Sequence, residues 1–507
     1  MTKLSGRSIF AAGLYFVVTF LMGCSDGTNH KISEVPVPAV PNFLPIGSTQ
    51  ISLPPDIGEP LNFGLFDLES VGYEQQEYFI AGTASAFTNT GELLRDGAWD
   101  VEAGETAAYT TRVLVRRPVD ATDFNGTVLV EWMNVSAGFD VTPEWDNAHV
   151  EIIREGYVWV GVTAQYVGIY GREPALAPFH LKAVNEERYE ALVHPGDSFS
   201  YDIFSQVAEA LRNPGNIDML NGLAEEVLIG AGESQSAFRM TTYVNAIHPL
   251  YNPFDGYIVH SRGEYSSALS QDPQVTIETP PEVLIRTDLN VPVLTFQTET
   301  DLLRGTLNSV TIRQDDTELL RLWEVAGTAH GDAYSTSGGW QDTGVDPSFA
   351  AVVEVSTVQG FIQCSFPMNS GHAHYVFNAA LDAVNRWIKD GSEPPTGELL
   401  QVSDDLSSFV LDDLGNVLGG IRTPYVDAPV AVLSGLGQVG ESFCGLFGTT
   451  ILFSADQLVT RYIDEAGYVD AVTQAAESAV EAGFILPLDA QQMIDWAPQQ
   501  WRSQVIE

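Results

Sequence analysis

Basic residues are scarce in this sequence of 507 residues. Lysine and arginine together number 23, against 67 aspartates and glutamates, so the formal net charge is −44. Phosphate backbones and anionic lipid surfaces repel such a chain, which argues against nucleic-acid binding and against electrostatic membrane binding. Hydrophobic residues make up 45% and charged residues 18%, an ordinary balance for a globular protein. The acidity therefore restricts the class of partner without indicating a function.

Cysteine is also rare, with Cys24, Cys364 and Cys444 as the three examples. No set of Cys, His, Asp and Glu occurs at metal-ligand spacing, and His372 and His374 in "GHAHY" have no such companions. We therefore predict neither a metal nor another cofactor. In an oxidising compartment the two later cysteines allow a single disulfide, and two buried free thiols are the alternative.

No apolar run in the sequence is long enough to span a membrane comfortably. The candidate nearest to that length lies at the N-terminus. Lys3 and Arg7 precede "SIFAAGLYFVVTFLMG", the order of a secretory signal peptide. Its end, "LMGC", resembles a bacterial lipobox, which implies a signal peptide over residues 1–23 and lipidation of Cys24. The residue after Cys24 is Ser25 rather than the aspartate typical of inner-membrane lipoproteins, which favours sorting to the outer membrane. We predict an envelope lipoprotein, facing the periplasm or the exterior, whose only membrane contact is this lipid; a plain secretory signal or an uncleaved anchor is the alternative.

Internal repeats and low-complexity blocks are absent, and the rest of the chain divides by pattern. Residues 24–60 are rich in proline and polar residues, which predicts an extended tether. In residues 61–395 strands and helices alternate, and the middle strands are continuous apolar runs, typical of strands buried on both faces. This predicts an α/β core, a mostly parallel eight-stranded sheet flanked by helices. Residues 396–507 are loop-rich and then helical, and form either a small accessory domain or a helical layer on the core.

The stretch "VLIGAGESQSAF", residues 227–238, has the pattern of a strand–turn–helix elbow. Such a turn presents a nucleophilic serine in a strained conformation. The residues two before and two after the serine must be small, because they approach neighbouring backbone. With Ser234 at the tip these residues are Gly232 and Ser236. With Ser236 at the tip one of them is Phe238, which is too bulky, so the sequence predicts Ser234 as the nucleophile.

A nucleophilic serine needs a base, and the base needs an acid that orients it. In this kind of fold the acid and then the histidine follow the serine, each just after a strand. The apolar run "VPVLTFQT" leads to Glu299 and Asp301. We favour Asp301, because its spacing from Pro292 resembles the acid strand of hydrolases with this elbow, and Glu299 is the alternative. "LLRLWEVAG" leads to a loop with His330, whose ordinary pKa suits a general base.

An oxyanion hole requires two backbone N–H groups. One belongs to the residue after the nucleophile, Gln235. The other is expected in the loop after the third strand, here within "LVEWMNVSAGFD". We place it at Val135 or Ser136 without choosing between them, and only the amides of these residues matter for this role.

Six stretches spread from about Leu61 to the C-terminus are "HPGDSFSYDIFSQ", "GAGESQSA", "QTETD", "LWEVAGTAHGDAY", "HYVFNAALDAVNRWIKDG" and "GNVLGGIRTPYVDAP". Together they resemble a bacterial family labelled alpha/beta hydrolase domain. The resemblance implies an α/β-hydrolase fold, a tail that belongs to the same unit, and a triad of Ser234, His330 and either Asp301 or Glu299. Together with the elbow it predicts a serine ester hydrolase that forms an acyl-enzyme with a small-molecule ester. The alternatives are a peptidase or amidase with the same triad, and a non-catalytic surface-binding lipoprotein.

Overall fold

Strands from the first two thirds of the chain form the sheet that carries the site. The structure is a computed structural model that describes residues 43–61, 66–303, 305–358 and 362–506. The predicted signal peptide, the predicted lipidation site Cys24 and the first part of the predicted tether lie outside these residues. Within the described ranges the sheet has nine strands: β1 (Gln50–Ser52), β2 (Tyr73–Asn89), β3 (Val101–Pro118), β4 (Thr127–Trp132), β5 (Val158–Val162), β6 (Val227–Glu233), β7 (Gly256–His260), β8 (Val293–Thr298) and β9 (Leu320–Val325).

The spatial order of these strands is β1-β2-β3-β5-β4-β6-β7-β8-β9. Strands β1, β2, β3 and β5 pair antiparallel with their neighbours in turn, and the pairs from β5 through β4 and β6 to β9 are parallel. The mostly parallel sheet of an α/β-hydrolase fold is thus confirmed. Because parallel strands end at the same edge, the loops after β6, β8 and β9 come together there.

The sheet has one strand more than the predicted eight. The additional strand is β1, which pairs antiparallel with residues 79–81 at the edge of the sheet. The Leu44 N–H also donates to the carbonyl of Leu250 at 2.8 Å. The folded unit begins at Phe43 rather than at the predicted Leu61, because the backbone of this proline-rich segment finds partners on an open sheet edge.

Helices cover both faces of the sheet. Within the described residues no helix has both the length and the apolar character to cross a membrane. A π-helical turn, Tyr243–Ile247, joins the fifth and sixth helices. The α-helices are α1 (Pro143–Arg154), α2 (Tyr166–Tyr170), α3 (Leu181–Val184), α4 (Ser200–Arg212), α5 (Gln235–Thr242), α6 (His248–Tyr251), α7 (Glu299–Leu302), α8 (Ala333–Ser337), α9 (His374–Asp390), α10 (Pro424–Asp427), α11 (Ala455–Tyr462), α12 (Glu465–Glu481) and α13 (Pro487–Val505). The 3-10 helices are Leu68–Val71, Ala121–Asp123, Asp197–Phe199, Ser309–Ile312, Gly339–Gln341, Pro347–Ala350 and Ser442–Leu446.

The alternation of side chains along the strands divides the core into two layers. On β4, Val128 shares a buried cluster with Phe204 of α4, whereas the next residue, Leu129, shares another with Trp145 of α1. Helix α9 packs in the second cluster and is followed by the capping residue Gly391, whose φ of 77° favours glycine. Every strand of the middle of the sheet is therefore buried on both faces, which explains its continuous apolar sequence.

The C-terminal segment packs on the core and is less helical than predicted. It contains an antiparallel pair, β12 (Ala431–Ser434) and β13 (Thr449–Leu452), before α11 to α13. A second short pair, β10 (Thr357–Val358) and β11 (Ile362–Gln363), precedes α9. The buried Asp489 of α13 accepts a hydrogen bond from Arg154 of α1 at 2.7 Å, which joins the segment to the core.

Candidate active site

Ser234 lies at the turn between β6 and α5, with φ 58° and ψ −119°. A positive φ is uncommon for a residue other than glycine and stores strain. The Ser234 N–H donates to the His260 carbonyl at 2.9 Å, which holds the turn in place. A Cβ added at Gly232 would lie 2.9 Å from Met240 Cγ and 3.0 Å from Ser236 Cβ. The positions on either side of the serine are therefore as crowded as an elbow requires.

His330 and Asp301 meet beyond the ends of the neighbouring strands β9 and β8. His330 Nδ1 lies 2.7 Å from Asp301 Oδ1. The other carboxylate oxygen, Oδ2, accepts hydrogen bonds from Ser261 Oγ at 2.8 Å, from the Thr298 N–H at 2.7 Å and from Thr298 Oγ1 at 2.8 Å. Because a carboxylate only accepts, Nδ1 carries the proton, and His330 Nε2 remains available to accept one.

Glu299, the alternative acid, belongs to the same short helix but contacts other groups. Its Oε1 accepts from the Gly327 N–H at 2.6 Å and its Oε2 from the Gly435 N–H at 2.8 Å. Burial raises the pKa of Glu299 to about 7. Its carboxyl group thus connects the loop after β9 to the C-terminal segment, and Asp301 is the acid in contact with the imidazole.

Two acidic groups, Asp301 and Glu233, raise the pKa of the His330 imidazole. Burial lowers the pKa of His330, but the charge and hydrogen bond of Asp301, with a contribution from Glu233, outweigh this, and the pKa lies above its ordinary value. Glu233 directly precedes Ser234 and is buried, which raises the pKa of its own carboxyl to about 7. Glu233 is not among the predicted site residues, although an acid within the turn of "GESQS" is a signal that the sequence contains.

A cavity of about 470 Å³ lies over these groups. Ser234, His330 and Glu233 line it, and its size is that of a small-molecule site. Asp146 is the other acid among the described lining residues, which include no lysine or arginine. Most of the lining is apolar, and its large members include Phe139, Leu176, Phe179, Phe443, Leu446 and Phe447.

The predicted oxyanion amides differ in their hydrogen bonds. The Ser136 N–H donates to Asn134 Oδ1 at 2.7 Å, so this amide is already engaged. The Asn134 side chain in turn donates to the Glu233 carbonyl at 3.0 Å, which ties the loop to the elbow. Within the described residues, no protein acceptor binds the Val135 N–H or the Gln235 N–H. Of the two candidates in the loop, Val135 is therefore the one whose amide has no protein acceptor within the described residues.

Cys364 and Cys444 form a disulfide with a Cα–Cα distance of 5.5 Å. The bond joins the end of β11 to the 3-10 helix Ser442–Leu446. Among the residues that the structure describes, no group of three or more His, Cys, Asp or Glu side chains is arranged to hold a metal ion. The neighbouring His372 and His374 are buried among aromatic rings instead.

The family comparison agrees with this architecture. The model of a family described as alpha/beta hydrolase domain matches residues 34–495. No curated protein matches the chain. Among solved structures, the chain is similar to fungal esterases from Rhizomucor miehei, with 10% identity, 56% of this chain and 89% of that chain covered, and a TM-score of 0.26. It is also similar to a PNB esterase, with 11% identity, coverage of 41% and 49%, and a TM-score of 0.23. Likenesses this distant carry no argument about activity.

Proposed function

The chain belongs to the alpha/beta hydrolase domain family, and we propose that it is a serine carboxylic ester hydrolase that acts on small-molecule esters through an acyl-enzyme. One observation carries the proposal. His330, whose Nδ1 is hydrogen-bonded to Asp301 at 2.7 Å, lines the same cavity as the strained Ser234. A nucleophile, a base and an acid that orients the base are the parts that acyl transfer needs.

In the proposed acylation step, His330 Nε2 removes the proton of Ser234 Oγ while this oxygen attacks the ester carbonyl carbon. The N–H groups of Gln235 and Val135 stabilise the negative oxygen of the tetrahedral intermediate. Asp301 stabilises the imidazolium through the bond to Nδ1. The bond between the carbonyl carbon and the alcohol oxygen then breaks, and His330 gives its proton to the leaving alkoxide.

Deacylation repeats these steps with water. His330 removes a proton from a water molecule, the resulting oxygen attacks the acyl-enzyme, and the proton passes to Ser234 Oγ as the serine leaves. The net reaction consumes one ester and one water and releases an acid and an alcohol. Apart from the ester and the water, these steps use side chains and amides of this chain.

A fluorophosphonate probe tests the nucleophile directly. We expect the probe to label Ser234, and Ser234→Ala to abolish labelling and to lower kcat for p-nitrophenyl acetate by about 10⁴-fold or more. Ser236→Ala is the matched control, because the buried Ser236 Oγ has no hydrogen-bond partner within the described residues. Labelling at another serine, or a Ser234→Ala variant with undiminished turnover, would show that the proposed nucleophile is wrong.

Paired substrates test the class of bond. The proposal expects hydrolysis of a p-nitrophenyl ester with a kcat/KM far above that of the p-nitroanilide with the same acyl group. Comparable values for the two would instead make the protein an amidase or peptidase with the same nucleophile.

We also propose that Cys24 carries a lipid and holds the protein in the cell envelope. The support is the sequence "LMGC" after a basic and an apolar segment. Metabolic incorporation of an alkyne fatty acid should label the wild type in a bacterial host and should fail to label Cys24→Ser. Equal labelling of both would contradict the assignment.

A further inference from the structure

Segments from different parts of the chain form two apolar walls of the cavity, and each wall is hydrogen-bonded to a different part of the proposed catalytic machinery. The histidine-side wall consists of Ile362, Leu446 and Phe447, and the oxyanion-side wall consists of Phe139 and Phe179. Leu176 lies between the two walls, since it packs against the cluster that contains Ile362 and Phe447. The two walls come from distant parts of the chain, and their attachments differ. These attachments indicate which part of an ester each wall contacts.

The histidine-side wall is attached to the loop of His330. The N–H of Gly331, the next residue, donates to the Leu446 carbonyl at 3.2 Å. A Cβ added at Gly331 would lie 2.9 Å from Phe447 Cδ1, so the ring of Phe447 packs directly against this glycine. Phe447 is 8% exposed. Its ring is therefore held beside the residue that carries the proton to the leaving group.

The disulfide fixes the position of this wall. Cys444 belongs to the same 3-10 helix as Leu446, and the Cys444 carbonyl accepts from the Phe447 N–H at 3.0 Å. Cys364 follows Ile362, the other member of the wall, by two residues. The bond between Cys364 and Cys444 thus joins both parts of the wall covalently.

The oxyanion-side wall is attached to the loop that follows β4. The Leu176 N–H donates to the Ala137 carbonyl at 2.9 Å, and Arg172 Nη2 donates to the Ser136 carbonyl at 2.7 Å. The ring of Phe179 lies 5.4 Å from that of Phe139, edge to face. This wall therefore belongs to the side on which the carbonyl oxygen of the substrate is expected.

The chemistry of acyl transfer orients the substrate between the two walls. The alcohol oxygen must lie within hydrogen-bond distance of His330 Nε2, because it takes its proton there. The acyl group is the remaining substituent of the attacked carbon and extends away from His330. An alcohol group thus lies along the histidine-side wall, and an acyl group along the oxyanion-side wall.

We propose that the histidine-side wall is the binding site for the alcohol group of the substrate and the oxyanion-side wall the site for its acyl group, which rests on the proposed esterase function. The substrate class is an ester that is apolar on both sides of the ester bond. An anionic ester does not suit the cavity, because Asp146 and Glu233 are acids and the described lining residues include no lysine or arginine. Leu446, Phe447 and Phe179 are the residues that determine this specificity.

Partition of the acyl-enzyme between water and an alcohol tests the proposal. The full-length enzyme, acylated by p-nitrophenyl acetate, is offered 1-hexanol, and the ratio of hexyl acetate to acetate is measured by gas chromatography. In the alcoholysis branch His330 takes the proton of the hexanol hydroxyl, the alcohol oxygen attacks the acyl carbon, and the proton returns to Ser234. This ratio does not depend on how much of a variant is folded.

We expect Phe447→Ala to lower the ratio about tenfold, because the hexyl chain loses its apolar contact. Phe179→Ala is the matched control: it should keep the ratio of the wild type and should instead reduce, about tenfold, the preference for p-nitrophenyl octanoate over the acetate. Opening the disulfide with dithiothreitol should change the ratio in the direction of Phe447→Ala.

The proposal is overturned if Phe447→Ala leaves the ratio unchanged, or if Phe179→Ala lowers it as much. These results differ from a failure of the proposed function, in which the wild type hydrolyses none of the p-nitrophenyl esters and no ratio can be measured. If the wild type transfers the acetyl group to an anionic alcohol of equal length as readily as to 1-hexanol, the proposed apolar substrate class is contradicted.

Discussion

Replacing Asp301 with asparagine turns one carboxylate oxygen into an NH₂ group, and the neighbouring donors decide which one. The Thr298 N–H, at 2.7 Å from Oδ2, can only donate, so the amide oxygen must take the Oδ2 position. The NH₂ group then occupies the Oδ1 position, 2.7 Å from His330 Nδ1. Nδ1 must accept there, the ring proton moves to Nε2, and Nε2 can no longer take the proton of Ser234.

The expected loss follows from this tautomer and from the missing negative charge beside the imidazolium. In triads of this kind the same change lowers kcat by about 10⁴-fold, which corresponds to about 5.5 kcal/mol of transition-state stabilisation. Asp301 does not line the cavity, so KM should change little. The side chains have almost the same volume, and the fold should persist.

The assay is steady-state hydrolysis of p-nitrophenyl acetate, with circular dichroism as a check of folding. Glu299→Gln is the matched control in the same short helix. It leaves one of the Gly327 and Gly435 N–H groups without its acceptor, which should cost about 1–3 kcal/mol of stability but change kcat by less than tenfold. If Glu299→Gln loses 10⁴-fold and Asp301→Asn less than tenfold, the reasoning from the hydrogen bonds is refuted.

Two further predictions concern the pH dependence and the disulfide. His330 must be neutral to act as a base, so kcat/KM falls as the pH falls through its raised pKa. Glu233→Gln removes a carboxylate that raises this pKa, and the acid limb of the kcat/KM profile should move to lower pH; an unmoved limb would speak against this coupling. The double substitution of Cys364 and Cys444 by serine opens a loop with a sequence separation of 80 residues. By chain entropy it should lower the free energy of unfolding by about 4.5 kcal/mol, and a denaturant midpoint equal to that of the wild type would count against it.

The strand–turn–helix elbow at Ser234 could be read from the sequence because its constraint is local. The small residues on either side of Ser234 are required by a turn of a few residues, and this steric rule excludes Ser236 without any knowledge of the rest of the chain. The fold class was predictable for a similar reason. Continuous apolar strands that alternate with amphipathic helices can bury their surfaces only in a layered α/β arrangement.

The number of strands was not predictable in the same way. The segment Gln50–Ser52 has no strand pattern of its own, and its proline-rich surroundings favour an extended tether. It becomes a strand because β2 leaves an open edge beside it. Pairing of this kind depends on which backbone groups remain unpaired after the rest of the sheet has formed.

By itself, the sequence determined the turn at Ser234, the placement of acids and a histidine after later strands, and the alternation that produces the sheet, since these depend on sterics and burial within short segments. Only the tertiary structure decided which of Asp301 and Glu299 contacts His330, since the two acids share one helical turn. Glu299 is drawn to the N–H groups of Gly327 and Gly435, residues that lie far apart in the chain. The walls of the cavity were decided in the same way, because Phe179 and Phe447 line the same cavity as Ser234 only when the chain is folded.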